Sequence, residues 1–295
     1  MNLIDIGVNL MSPSFDRDRD GVIAAAAAAG VSPLIITGAS VAGSRAALAY
    51  AAEKLPSEAI RETALTSSAG NTDASPKAAH QLYTTAGVHP HDAKSCGPNT
   101  VALLRELAGH PLVAAIGECG LDYNRDFSLR PIQREWFEAQ ILLAVELGLP
   151  LFLHERDASS DFAAILKNHR GNITRMVVHC FTGTEAELET YLELGAYIGI
   201  TGWICDERRG RHLASLVKTI PADRLMIETD APYLIPRDLQ PRTLGPMPLE
   251  RRRSGRNEPR FLPHIATVIA GHLGKEPEQL AAETYANSLR FFALP

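Results

Sequence analysis

Four residues of this chain combine the side chains and the spacing needed to hold a divalent cation: Glu118, His154, His179 and Asp230. Each lies at or just past the end of a short apolar run, in "AAIGE", "LFLH", "VVH" and "MIETD". Glu118 and His154 are 36 positions apart, His154 and His179 are 25 apart, and His179 and Asp230 are 51 apart. A strand, a helix and their loops take roughly 30 residues, so these gaps correspond to one, one and two such units. In a barrel of such units all four residues face one mouth, where the C-terminal strand ends meet. Two imidazoles with two carboxylates suit a hard or borderline divalent ion. Such an ion can acidify a bound water and neutralise a phosphoryl oxygen. One histidine at a strand end is usually a hydrogen-bonded structural residue, but four such residues at strand ends point to a metal site. Asp230 is expected to serve as ligand and general base together.

Other polar residues cluster at the same strand ends. His89 and His91 in "GVHPHD" are two positions apart, so both face the mouth if the backbone is extended. They are then phosphate ligands or proton donors to the leaving oxygen; the alternative is a polar loop held by its own hydrogen bonds. Asp122, Asp157 and Glu228 also close strands. Arg156 follows His154 by two and shares its face, while Arg208 and Arg209 follow the seventh apolar run. Residues 237–260 hold seven arginines against three acids, a local +4 on a chain of net charge −5. Arg156, Arg208, Arg209, Arg256 and Asn257 are therefore expected to track phosphates, against the alternative of a solvated charge run. Trp203 and Tyr233 are expected to stack exposed bases or to pack the core.

The elements that must position these groups are legible in outline. Eight apolar runs read as strands: 3–8, 33–37, 82–88, 112–118, 149–154, 175–180, 196–200 and 224–229. Most are continuously apolar, as expected of parallel strands covered by helices. Helical patterns fill the gaps at 17–29, 41–54, 99–109, 129–147, 158–169, 184–194 and 209–219, followed by 261–273 and 276–290. Pro131 opens one helix and Gly148 closes it. Thr182 and Thr184 are candidate N-caps of another. Eight strands each followed by a helix give an α/β fold, a TIM (β/α)8 barrel, with a doubly wound open sheet as the alternative. One domain is expected over 1–295, with 56–80, rich in Ser, Thr, Ala and Pro, as a surface loop.

The bulk properties narrow the function. At 45% hydrophobic and 21% charged, the 295-residue chain can bury a large core, and its acidic balance confines any nucleic-acid contact to a local patch. Cys96, Cys119, Cys180 and Cys205 form no CxxC pair and read as reduced thiols of a cytoplasmic protein. Cys180, next to His179, is expected on the opposite face of its strand as a packed thiol, and Cys119 beside Glu118 likewise. The N-terminal sequence does not read as a secretory signal, and no apolar run reaches the roughly 18 residues of a membrane span. Neither a G-x-S-x-G nor a P-loop pattern is present, which argues against serine hydrolases and Walker-type enzymes. No interface stripe is evident, so a monomer is expected.

The segments "GVHPHD", "AIGECGLD", "HCFTG", "GITGW", "CDERRG", "IETDAPYL" and "RNEP", in this order along nearly the whole chain, resemble the TatD family of metal-dependent deoxyribonucleases. The resemblance implies a TIM barrel with metal ligation by Glu118, His154, His179 and Asp230. It implies phosphodiester hydrolysis with Mg2+ in first place and Mn2+ or Zn2+ as alternatives. It further implies 3′→5′ exonuclease activity preferring single-stranded DNA, with RNA also a substrate, and a role in repair after oxidative damage. Most members carry an H-x-H pair at the end of the first strand; the family's namesake branch lacks it, and here the two positions are Gly7 and Asn9. The first-strand share of the metal site is then missing or weak. Two other functions remain open from sequence: hydrolysis of a different bond, as in a deacylase of misacylated tRNA or an amidohydrolase-like enzyme, and a non-catalytic barrel kept for binding metal or nucleic acid.

Overall fold

In a computed structural model, which describes residues 1–55, 81–239 and 255–295, eight parallel strands follow one another around a nearly closed barrel in sequence order. They are β1 (Leu3–Val8), β2 (Val31–Ile36), β3 (Leu82–Ala86), β4 (Val113–Asp122), β5 (Leu151–Arg156), β6 (Met176–Val178), β7 (Tyr197–Ile200) and β8 (Leu225–Ile227). The helices between them are α1 (Arg19–Ala28), α2 (Val41–Glu53), α3 (Thr100–Ala108), α4 (Arg130–Leu147), α5 (Ser159–His169), α6 (Glu185–Glu193) and α7 (Leu213–Leu216). Two more, α8 (Leu262–Leu273) and α9 (Pro277–Phe292), follow the last strand. The ring is drawn shut by a bridge between Val8 and Ala231 and by the Asp230 N–H donating to the Gly7 carbonyl at 2.9 Å. The TIM-barrel expectation therefore holds, and the open sheet does not.

The continuous apolar runs become strands because both of their faces are covered. Every residue of β1, β3, β4, β6, β7 and β8 is buried, one side against the barrel interior and the other against helices. α4 lays Phe137, Ile141 and Ala144 inward, and Phe137 stacks on Phe162 of α5 with ring centroids 5.2 Å apart. Burying one such aromatic side chain stabilises the fold by about 1.5–3 kcal/mol. α4 begins with Pro131 in its first turn and ends at Gly148 in the left-handed region, as its sequence predicts. Of the two candidate caps, Thr184 opens α6 in a reciprocal capping box with Glu187.

Three elements depart from expectation. β4 runs four residues past its expected end at 118, to Asp122, so Glu118 lies within the strand. The helix expected at 209–219 shrinks to α7, because the Asp206 carboxylate accepts the N–H groups of Arg208 (2.9 Å) and Arg209 (3.3 Å) and folds that stretch into a turn. β6 stops at Val178, so strand alternation does not govern Cys180, considered below. The expected loop at 56–80 lies outside the described residues, as do Arg242, Arg251, Arg252 and Arg253. Among the described residues all four cysteines are free and no helix is long and apolar enough to cross a membrane.

Candidate active site

The C-terminal strand ends open into one pocket of about 490 Å³. It is lined by His89, His91, Glu118, His154, Arg156, His179, Trp203 and Asp230. Asn9, Asp122, Glu155, Cys180, Thr182 and Tyr233 complete most of its wall. Glu118 is the hub. Its Oε1 lies 2.8 Å from His179 Nε2, 3.0 Å from His154 Nδ1 and 3.3 Å from His89 Nε2. Burial works to raise the Glu118 carboxyl, but His179, His89 and His154 together hold it well below its ordinary value. The same exchange, with Glu228 adding to it, raises His179 well above the usual imidazole range, and Asp122 together with Glu118 raises His154, each against the pull of burial. His89, where burial dominates, is lowered.

This donor set fits a divalent cation. His89, Glu118 and His154 each offer a ligand atom within 4.8 Å of the other two, and His179 approaches the same carboxylate oxygen. His154 Nε2 is buried without a hydrogen-bond partner; it is 3.4 Å from an Asp122 oxygen, but not in bonding geometry. An unsatisfied buried nitrogen beside converging carboxylates is the chemistry of a ligand atom.

Asp230 stands just beyond β8, its backbone in the left-handed region at φ 54°. Its Oδ1 accepts from the Asn9 amide at 2.8 Å. Burial pushes its carboxyl up to about 7; His179 pulls it down, while Glu118 and Glu228 push it further up. Asn9 thus reaches the site through Asp230, across the seam between the first and last strands.

Gly7 has an equally definite reason. A Cβ there would lie 2.2 Å from Oε2 of Glu228, and one on Gly199 would lie 2.6 Å from Oε1. Glu228 therefore fills space that a side chain on β1 would need. Its Oε1 accepts the Cys180 N–H at 2.6 Å, and its Oε2 faces His179 Nδ1 at 3.3 Å. The sequence marked Glu228 only as a strand end; its adjacency to two glycines across the barrel emerges only in three dimensions. Asp122, also passed over, holds His91 at 2.6 Å.

Cys180 requires correction. It was expected to point away from the mouth, yet it lines the pocket, because its backbone turns to φ 48° as Glu228 takes its N–H. Burial raises its thiol well above the ordinary value, so it remains un-ionised and a poor nucleophile. Cys119 is packed in the core as expected.

The phosphate-facing expectations divide. Arg156 lines the pocket and donates to the Thr182 hydroxyl at 3.1 Å. Trp203 lines it too, with the Arg209 guanidinium 5.8 Å from its ring centroid. Arg208 is exposed outside the pocket wall. Arg256 and Asn257 are buried elsewhere: Arg256 pairs with Asp18 (3.0 Å) and Glu258 (2.5 Å), and Asn257 donates to the Thr229 carbonyl at 2.9 Å. Both terminal nitrogens of Arg256 and the Asn257 amide donate within the protein, which ties "RNEP" to the barrel frame and not to a phosphate-facing surface.

Comparison with known proteins bears on this arrangement. The profile of the TatD-related DNases matches residues 4–293. The chain belongs to that family. It is 46% identical over 290 residues to the 3′-5′ ssDNA/RNA exonuclease TatD of Cronobacter sakazakii, covering 98% of this chain and 97% of the relative. It is 47% identical over 292 residues to the protein of the same description from Erwinia amylovora, covering 99% of this chain and all (100%) of the relative. Among solved structures, a TatD-family hydrolase of Entamoeba histolytica superposes with a TM-score of 0.77 at 28% identity, over 99% of this chain and 98% of that one. The TatD homologue YJJV of Escherichia coli K12 superposes at 0.78 with 24% identity, again over 99% and 98%, and supports the fold. Family membership makes the chain a hydrolytic enzyme of the nuclease class.

Proposed function

We propose that this chain is a 3′→5′ exonuclease that hydrolyses phosphodiester bonds of single-stranded DNA or RNA with the help of a divalent cation, Mg2+ in first place. One observation carries the reading: Glu118, His154, His179 and Asp230 converge on one mouth in a chain 46–47% identical to proteins named for that activity. A cation held by these four residues would supply positive charge against the phosphoryl oxygens and lower the cost of deprotonating water.

The chain's own groups then divide the work. His179 turns Nδ1 to Glu228, so Nε2, which meets Glu118 Oε1 at 2.8 Å, is the nitrogen that would give up its proton and ligate when a cation binds. His89 is arranged the other way: its Nδ1 accepts the His91 N–H at 3.1 Å, so in the neutral ring the proton sits on Nε2, facing the site. That makes His89 a hydrogen-bond donor to the leaving oxygen, which it would steady without giving up its proton, beside the proposed ligands Glu118, His154, His179 and Asp230. His91, tied to Asp122 and packed edge-on against the His89 ring at 4.2 Å, sets the tilt of that donor. Asp230, with Oδ1 held by Asn9, presents Oδ2 to the mouth as ligand and general base. Arg156 pairs with phosphate, and Trp203 and Tyr233 offer ring faces to unstacked bases. The proposed setting is a cytoplasmic, single-domain monomer acting in repair after oxidative damage.

The test is hydrolysis of 5′-labelled single-stranded DNA with and without Mg2+, with Glu118→Ala and His179→Ala alongside. A Mg2+-dependent ladder shortening from the 3′ end, lost in both variants, supports the reading. Absence of cleavage with Mg2+ or Mn2+ overturns it.

A further inference from the structure

A second cluster of ligand-type side chains lies away from the nuclease mouth. Cys205 ends the 3-10 turn Gly202–Cys205 after β7, Asp238 lies beyond β8, and His264 is in the first turn of α8. One ligand atom from each lies within 4.8 Å of the other two. The Cys205 thiol hydrogen-bonds the Asp238 carboxylate, and His264 Nε2 meets Asp238 Oδ1 at 2.7 Å. Cys205 and Asp238 border a cavity of about 520 Å³ whose wall includes His272, a further nitrogen donor on α8. None of these residues lines the nuclease pocket.

We propose that Cys205, Asp238 and His264 form a Zn2+ site. Thiolate, imidazole and carboxylate are the three ligand types that zinc takes, in its usual tetrahedral geometry. Ligand atoms around a tetrahedral zinc are about 3.5 Å apart at ordinary bond lengths, so only small side-chain shifts separate the present cluster from a coordination shell. The mutual hydrogen bonding resembles that of Glu118 with its histidines, where donors and acceptors that would share a cation bond one another. A sulfur ligand sets the two sites apart: the oxygen- and imidazole-rich mouth suits Mg2+ or Mn2+, whereas a thiolate selects a softer ion. Burial, with Asp238 adding to it, pushes the Cys205 thiol up, so binding replaces the Cys205 proton and releases it to solvent. Bound zinc ties together the turn carrying Trp203, the segment after the last strand and α8, and thereby fixes one wall of the nuclease mouth from behind.

Cobalt is the probe, because only a thiolate ligand gives Co2+ an intense near-ultraviolet charge-transfer band. On the chelator-treated full chain, Co2+ is expected to produce that band and Zn2+ to abolish it by displacement. Cys205→Ser is expected to lose the band, His264→Ala to need at least about tenfold more Co2+, and Cys180→Ser to keep it. His264 has a partly exposed side chain, so its variant answers the question if Cys205→Ser does not fold. A wild-type chain without the band, a band that survives Cys205→Ser with unchanged affinity, or one lost in Cys180→Ser overturns the assignment. A band unchanged in both affinity and intensity by His264→Ala overturns it as well, leaving only a hydrogen-bonded triad.

Discussion

The tight fit of Glu228 between two backbones makes Gly7→Ala the most informative single change. The new methyl would sit 2.2 Å from Glu228 Oε2 and 3.1 Å from Phe152 Cζ. Glu228 is fully buried, with Oε1 already filling the space beside Gly199 and accepting the Cys180 N–H at 2.6 Å. It must therefore rotate away from the Cys180 N–H and from His179. Overpacking costs about 1–3 kcal/mol, and a lost hydrogen bond to a charged group about 1.5–3 kcal/mol. The expected loss is about 3–5 kcal/mol, a large share of the 5–15 kcal/mol typical of a folded domain. Because Glu228 also orients His179, affinity for Mn2+ is expected to fall about 10–100-fold. Urea denaturation measures the first quantity and calorimetric Mn2+ titration the second. A double-mutant cycle isolates the cause: in a Glu228→Ala background the methyl has room, so Gly7→Ala should cost about 2 kcal/mol less there. Additive effects, or a single variant within about 0.5 kcal/mol of wild type, would refute the steric argument.

Three further predictions test other parts of the structure. Burial pushes the Asp5 carboxyl up to about 8, against the hydrogen bonds from Thr229, so the folded chain keeps a proton that the unfolded chain releases near pH 4. Stability should therefore fall by up to about 1.4 kcal/mol per pH unit as pH rises from 4 to 8, and Asp5→Asn should flatten that slope in denaturation curves at pH 5 and pH 8. Arg256→Ala removes the guanidinium shared by the buried Glu258 and by Asp18, while Arg260 still holds Glu258 at 2.9 Å; it should cost about 1.5–3 kcal/mol while leaving the salt dependence of DNA binding unchanged. Arg156→Ala should do the reverse, with little effect on melting temperature but a weaker KM and a salt slope shallower by about one unit for single strands.

The sequence revealed the barrel because continuous apolar runs and the helices between them leave few other ways to bury both faces of a strand. It singled out Glu118, His154, His179 and Asp230 because each closes an apolar run, and all four line one pocket, although β4 runs on past Glu118 to Asp122 and β5 past His154 to Arg156. It did not reveal Glu228. That residue matters through Gly7, Gly199 and His179, which come from three other strand ends and share no local pattern with it. Cys180 was misplaced because two-residue alternation was carried past the point where β6 stops. Arg256 looked like part of a charge run, and only the fold reveals the two carboxylates that enclose it.

The seam that closes the barrel also sets a schedule for its assembly. Asn9 and Asp230 are 221 positions apart, and β1 finds its final partner only when Ala231 arrives. During synthesis the early strands can pair in order, each with its predecessor, while Asp230 and its amide anchor Asn9 are still on separate stretches of chain. A nascent polypeptide that has not reached Ala231 can hold most of the barrel, and even Glu118, His154 and His179, yet it has no Asp230 to complete them. With Asp230 in its proposed role, hydrolytic competence would be withheld until the first-made strand meets the last.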